Sequence, residues 1–417
     1  MRILSETLEN SNNEDQILVV SCLGRDRPGL VHGVTRVIAK YNANIVDIDQ
    51  TVLRGLFAMF LLVDIGYIND SVEKFLAELK EVSAELGLVL TIEPWRPGRR
   101  KSEKDLYCLT LIGKDRPGII ATFSEIFGET DINIEQIRMI ARGEVIATEM
   151  ILDVSDSKLS ISFLREKLEN TGGEMGLSLV IQPKYVHEMQ KRLIVFDMDN
   201  TLVSGEIVDE MAEATGVQHK VKELTSKAMN GEISFEEALR ERVLLLKGTK
   251  IEILESISKN IIFTPGAKEL IRALKAMGYK LALISGGFTY FTDRIKKQLG
   301  LDYAFGNKLV IQDGILTGQV EGPIIDADAK WRIVKKIAER EGISKEEIVT
   351  VGDGSNDMIM VENAGLGIGF NPKPVLTKVA SGIITNDSLT SLLFVLGLKE
   401  SELAKAKEKI SKQNSSP

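Results

Sequence analysis

Residues 193–203 read LIVFDMDNTLV: four apolar residues of a buried-strand pattern, then two aspartates one residue apart, Asp197 and Asp199. Paired carboxylates at a strand end are costly to hold side by side unless a cation or a reaction uses them. The carboxyl ends of strands in an open α/β sheet are where such folds bind ligands, so these aspartates mark the expected active crevice.

From Lys191 onward the chain alternates strand and helix signals. A helix is expected around Ala267 to Met277, and strands over YKLALISGG (279–287), EEIVTVGDG (346–354) and AGLGIGF (364–370). These are parallel-sheet patterns with chemistry at the strand ends. Three further pieces follow the aspartates in order: Ser285-Gly286-Gly287, then Lys330, then Gly352-Asp353-Gly354-Ser355-Asn356-Asp357. Oxygen donors without histidine suit magnesium, and a phosphoryl group completes the charge balance.

These motifs resemble the haloacid dehalogenase-like phosphatases, over about 193–400. The resemblance implies that Asp197 attacks phosphorus to form an aspartyl-phosphate, and that Asp199 protonates the leaving oxygen and later activates water. It implies Mg²⁺ held by Asp197, Asp353 and the backbone carbonyl of Asp199. Ser285, Gly286, Gly287 and Lys330 would grip the phosphoryl oxygens, Asn356 would orient them, and Asp357 would support metal waters or Lys330. Thr201 either binds an oxygen or caps the turn.

Residues 205–262 carry amphipathic helix patterns such as VDEMAEATG and SFEEALRERVLLLKG, expected as a helical cap over the crevice. Glu206 near its start and Arg242 after Ser234 suit the amine and carboxylate of one zwitterionic substrate. With Met229 and Phe235 as an apolar wall, these positions resemble phosphoserine phosphatases. The implied substrate is O-phospho-L-serine, hydrolysed in the last step of serine biosynthesis. A related small-molecule phosphatase, a phosphotransferase using the same first half-reaction, and a catalytically dead amino-acid sensor are the competing readings. The 305–325 segment, with Asp313-Gly314 at its centre, reads as a hairpin that either trims access or completes the core edge.

The first half repeats itself. Gly24-Arg25-Asp26-Arg27-Pro28-Gly29 recurs as Gly113-Lys114-Asp115-Arg116-Pro117-Gly118, each copy between an apolar strand pattern and a helical one. Asn44-Ile45 and Asn133-Ile134 keep the same offset. Each copy continues to a βαββαβ order, an antiparallel sheet with helices on one face. Both copies resemble ACT domains, the regulatory α+β modules of ferredoxin-like fold that pair edge to edge. The resemblance implies an amino-acid ligand, with Asp26, Asn44, Asp115 and Asn133 as candidate contacts, and a homodimer; joined to an amino-acid-producing domain, the modules point to L-serine as the regulatory ligand.

The expected organisation is thus a flexible stretch 1–15, ACT-like modules at 16–94 and 105–182, a Rossmann-like parallel-sheet α/β phosphatase domain at 191–400, and a polar tail 401–417. The 417 residues carry a formal charge of −8, which offers no field to gather nucleic acid or anionic membrane. No apolar run approaches the roughly 20 residues that span a bilayer, and the N-terminus has no signal-peptide core; a cytoplasmic protein is expected. Cys22 and Cys108 sit singly in strand patterns and are expected as buried thiols; three separated histidines argue against a histidine-rich metal site.

Overall fold

The computed structural model describes residues 16–96, 103–142, 145–229, 232–386 and 388–398. The expected flexible stretch 1–15, the tail 401–417 and the Met229 side chain lie outside the described residues. The chain divides into two compact units, Met1–Lys101 and Ser102–Pro417.

The first unit is one module: β1 (Ile17–Arg25), α1 (Leu30–Lys40), β2 (Asn44–Leu53), β3 (Leu56–Asp64), α2 (Val72–Glu85) and β4 (Leu88–Pro94). Its antiparallel sheet runs β2-β3-β1-β4. Alternate residues Leu18, Val20 and Cys22 of β1 meet Leu30, Val34 and Phe75 of the helices in one core, as the period-2 and helical patterns require. Gly29 stands at the α1 N-cap with φ 94°, in the left-handed region, which accounts for the glycine ending the repeated motif.

The second unit opens with the same order: β5 (Leu106–Gly113), α3 (Ile119–Glu129), β6 (Asn133–Ala141), β7 (Ile146–Asp153), α4 (Ile161–Glu174) and β8 (Leu177–Pro183). A short helix α5 (Lys184–Glu188) leads to β9 (Leu193–Phe196). The cap follows as α6 (Ile207–Ala214), α7 (Gln218–Met229), α8 (Phe235–Leu245) and α9 (Ile251–Lys259). The chain then alternates α10 (Ala267–Ala276), β10 (Lys280–Phe288), α11 (Thr289–Leu299), β11 (Tyr303–Gln312), β12 (Ile315–Glu321), α12 (Ala327–Glu341), β13 (Ile348–Gly352), α13 (Met358–Asn363), β14 (Leu366–Phe370), α14 (Pro374–Thr377), β15 (Gly382–Ile384) and α15 (Ser391–Val395).

Strands β10, β9, β13, β14 and β15 pair in parallel, in that order. Strand β9 lies inside this sheet and all four of its residues are buried, as a near-continuous apolar run demands. The second module joins its β8 edge antiparallel to β15, giving a continuous eleven-stranded sheet. Ile181 N donates to Ser381 O at 3.1 Å, and Thr385 N to Ser178 Oγ at 2.9 Å, across that seam.

The 305–325 hairpin is present, but its first strand starts earlier. Strand β11 leaves Tyr303 as a parallel partner of β10 and ends as an antiparallel partner of β12. Asp313 and Gly314 both have positive φ, 50° and 76°, as a two-residue hairpin turn requires. The hairpin braces the cap: Ile251 N donates to Gly314 O at 2.8 Å and Gly248 N to Leu316 O at 2.9 Å.

Candidate active site

Strand β9 stops at Phe196, and Asp197 begins the loop beyond it, anchored by its N–H on Val351 O at 2.9 Å. Asp197 is 2% exposed, so its charge needs partners. Lys330, on the first turn of α12, gives 2.7 Å contacts to Asp197 Oδ1 and to Asp357 Oδ1 and is itself 0% exposed. Asp326 caps that helix by accepting from Ala329 N at 2.8 Å, which fixes where Lys330 points. Burial alone would lower the Lys330 pKa, but the Asp197 and Asp357 carboxylates hold it well above the ordinary lysine value.

Asp357 is fully enclosed. Its second oxygen receives the Asp353 and Gly354 N–H groups at 3.2 and 3.3 Å, so both oxygens are engaged in positioning. Asn356 Nδ2 reaches Asp197 Oδ2 at 3.3 Å. Carboxylate oxygens of Asp197, Asp353 and Asp357 lie within 4.8 Å of one another, with Lys330 bridging Asp197 and Asp357 and Lys373 Nζ 3.5 Å from Asp353. Burial raises Asp353 to about 6, with Lys373 opposing. This oxygen-only, negatively charged notch fits a hard divalent cation. Of the sequence-expected ligands, Asp197 and Asp353 are in this cluster; Asp199 is not, and only its backbone carbonyl was expected to serve.

Asp199 points elsewhere. Its Oδ1 accepts from Ile207 N at 3.0 Å, the first N–H of α6, tying the loop to the cap. Burial, and then the Asp197 charge, push its pKa up to about 8. The Thr201 hydroxyl is buried and without a hydrogen-bond partner, so it caps nothing.

Ser285 and the two glycines close the opposite wall at the end of β10. A Cβ at Gly286 would stand 2.9 Å from Phe235 Cζ, and one at Gly287 would stand 2.7 Å from Met198 Cε. Gly287 N donates to Ser285 Oγ at 2.8 Å. Sequence reading passed over Asn307, which is 2% exposed, donates to Gly286 O at 2.8 Å and accepts from Ile325 N at 2.9 Å. It fixes the glycine turn and the approach to α12 together.

The cap supplies the remaining wall. Ser234 and Glu237 form a capping box that starts α8 at Phe235. Two turns later comes Arg242, on the same helical face as Phe235 and Leu239. All three line one cavity of about 230 Å³ with Asp197, Asp199, Glu206, Gly286, Gly287 and Asn356. Arg242 is 9% exposed; its Nε donates to Ala238 O at 3.2 Å, and no acid pairs with it within 4.0 Å among the described residues. Glu206 accepts from Asn200 Nδ2 at 3.4 Å and stands 3.6 Å from Lys373 Nζ. Lys373, also within 3.5 Å of Asp353, escaped the sequence reading; its signal was its place just after the buried AGLGIGF strand, where loops meet the crevice.

A family description, haloacid dehalogenase-like hydrolase, matches residues 191–365, and the ACT domain description matches 16–93 and 107–182. A phosphoserine phosphatase of Archaeoglobus fulgidus is 48% identical over 340 residues, 82% of this chain and 98% of that protein. The chain belongs to the phosphoserine phosphatase family. A phosphoserine phosphatase of Streptomyces coelicolor is 34% identical across 93% of the chain and 94% of its own length, so it matches the two-module organisation as well. The crystal structure of a probable phosphoserine phosphatase from Vibrio cholerae aligns with a TM-score of 0.56 at 31% identity, covering 72% of this chain and 88% of that one.

The four candidate regulatory positions are not gathered within a module. Asn44 pairs with Asp64 beside the start of β1, whereas Asp26 follows the end of β1 and donates its N–H to Gly55 O at 2.9 Å. Asn133 and Asp115 repeat this arrangement around β5. A nine-residue strand puts these ends roughly 25–30 Å apart, so a small ligand touching both residue types needs two modules.

Proposed function

We propose that the enzyme hydrolyses O-phospho-L-serine to L-serine and phosphate through an aspartyl-phosphate on Asp197. The carrying observation is that Glu206 and Arg242, opposite charges suited to an α-amine and an α-carboxylate, line one cavity with Asp197.

In this reading Lys330 and Asn356 hold the Asp197 carboxylate so that it faces phosphorus. Ser285, the Gly286 N–H and Lys330 take the phosphoryl oxygens, where charge redistributes during transfer. Asp199, whose carboxyl burial and the Asp197 charge hold well above the usual carboxylate range, gives its proton to the serine oxygen as the P–O bond breaks, and then takes one from the water that attacks the phosphoenzyme. Asp197, Asp353 and the Asp199 carbonyl would hold Mg²⁺, which would supply positive charge to offset repulsion between an anionic nucleophile and a phosphate dianion. Thr201, with its free hydroxyl, is assigned to an incoming oxygen.

The proton role has a sign. The Asp199 carboxyl is held up to about 8 by burial and by Asp197, and a bound dication lowers that value. The competent acid is therefore present at lower pH and is lost as pH rises, so kcat/KM falls with loss of one proton on a limb no higher than that value. A profile flat through roughly pH 10 removes Asp199 as donor.

Arg242→Ala tests substrate choice. Losing a charge-assisted partner for a buried carboxylate costs about 2–3 kcal/mol, so kcat/KM for phosphoserine is expected to fall about 30- to 200-fold. Turnover of phosphoethanolamine, which lacks the carboxylate, should barely change. Equal losses on both substrates would assign Arg242 to general stability.

The modules are assigned to L-serine control in a homodimer, on the pairing of an amino-acid-producing site with two amino-acid-binding-type domains. Equilibrium dialysis of the full chain should then find more than one serine per subunit, reduced in Asp26→Ala/Asp115→Ala. A single site unaffected by those substitutions is the product site alone.

A further inference from the structure

The second module carries a polar cluster that the phosphatase chemistry does not use. On the sheet face away from α3 and α4, Cys108 and Thr110 of β5 stand opposite Gln182 of β8 and Glu149 of β7, respectively. His187, on the connector helix α5, descends onto them: its Nε2 is 3.1 Å from Glu149 Oε1 and its Nδ1 is 3.3 Å from Gln182 Nε2. One donor atom each from Cys108, Glu149 and His187 lie within 4.8 Å of one another. Cys108 is 0% exposed, Glu149 9% and Gln182 2%. Gly397 closes the cluster from the other side; a Cβ there would stand 3.7 Å from Glu149 Oε1 and from His187 Cε1.

We propose that Cys108, Glu149 and His187 bind a borderline-soft divalent cation of the zinc class. Thiolate, imidazole and carboxylate are that ion's protein donors, and bonds of about 2.0–2.3 Å place tetrahedral donors about 3.3–3.8 Å apart. The cluster closes to that spacing with changes in donor separation of about 1.5 Å or less. One thiolate and one carboxylate neutralise the dication, which a low-dielectric interior requires. Burial pushes the Cys108 thiol up to about 12, with Glu149 adding to the rise and Thr110 opposing it, so a cation in place of the proton is what makes the sulfur a ligand.

Gln182 gives independent support. Its Oε1 is buried with no hydrogen-bond partner, while its amide nitrogen faces His187 Nδ1. A metal-bound imidazole keeps a proton on its other nitrogen and donates it to an acceptor. Turning the Gln182 amide over gives that orphaned oxygen the Nδ1–H and leaves the Nε2 lone pair for the cation. The ion would pin α5, and thereby the entry to β9 and Asp197, onto the sheet of the second module.

The test uses the full chain stripped with chelator, with the carboxylate notch filled by saturating Mg²⁺, then given Co²⁺ as a coloured zinc substitute. The expected result is one retained cobalt per chain with thiolate-to-cobalt charge-transfer absorption. The band should persist in Cys22→Ser and vanish in Cys108→Ser, and Gln182→Ala should weaken cobalt affinity about tenfold or more. No charge-transfer band in the wild type overturns the proposal whatever the variants do, as does a band that survives Cys108→Ser. Because nothing is read through turnover, failure here leaves the phosphoserine reading untouched.

Discussion

Asp197→Asn is expected to reduce phosphoserine turnover by at least about 10⁴-fold, the scale of losing a nucleophile that other groups act through. An amide does not form the acyl phosphate, and the surroundings resist a substitute. Lys330 Nζ requires an acceptor at the Oδ1 position, so the new amide nitrogen falls at Oδ2, facing the Asn356 Nδ2 donor at 3.3 Å. Binding should survive, because Glu206 and Arg242 are untouched and removing one negative charge eases approach of a phosphate dianion. Acid quenching with ³²P-phosphoserine and magnesium should label a wild-type peptide containing residues 193–203 and nothing in the variant. Label on another peptide, or turnover within about tenfold of wild type, defeats the nucleophile assignment.

The catalytic fold was legible because its signals are local and redundant. A four-residue apolar strand that stops at Asp197, and similar strands stopping near Ser285 and Asp353, can lie side by side only in a buried parallel sheet with the polar ends at one edge. Phe235 and Arg242 were legible for another reason: a capping box fixes the helix phase, and seven residues return to the same face.

What escaped was long-range. Asn307 looks like any strand asparagine until β11 is seen to switch from β10 to β12 and bring it under Gly286 and Ile325. The β8–β15 seam rests on a three-residue strand, too short to show any period. The same holds for the Cys108–Glu149–His187 cluster, whose members come from two strands and a five-residue helix. The repeated Asp and Asn of the modules show the same limit: their equal spacing in both copies says nothing of distance, and the fold sets them a strand's length apart within each module.

Lys330→Met should lower stability as well as activity, and the loss should depend on pH. The substitution keeps an apolar stem in a site that is 0% exposed and deletes the ammonium that stands 2.7 Å from both Asp197 and Asp357. Breaking a buried pair from one side costs about 3–5 kcal/mol when the remaining charge has no escape. Asp357 does have one: burial and the Asp197 charge already raise its pKa, with Lys330 holding it down, so without Lys330 it rises further and the carboxyl takes up a proton. The folded variant then binds more protons than the unfolded chain at every pH between the unfolded carboxylate value and the raised folded one, so its stability falls as pH rises through that window. Wild-type Asp357 already stands at about 7, so below that pH both folded forms carry the proton and the deficit against wild type grows only above it; in metal-free protein the deficit should be larger by about 1 kcal/mol or more at about pH 8.5 than at about pH 6. Urea titrations at the two pH values measure it. A deficit of the same size at both would mean that lost packing around the lysine stem, and not unpaired carboxylate charge, is what the substitution exposes.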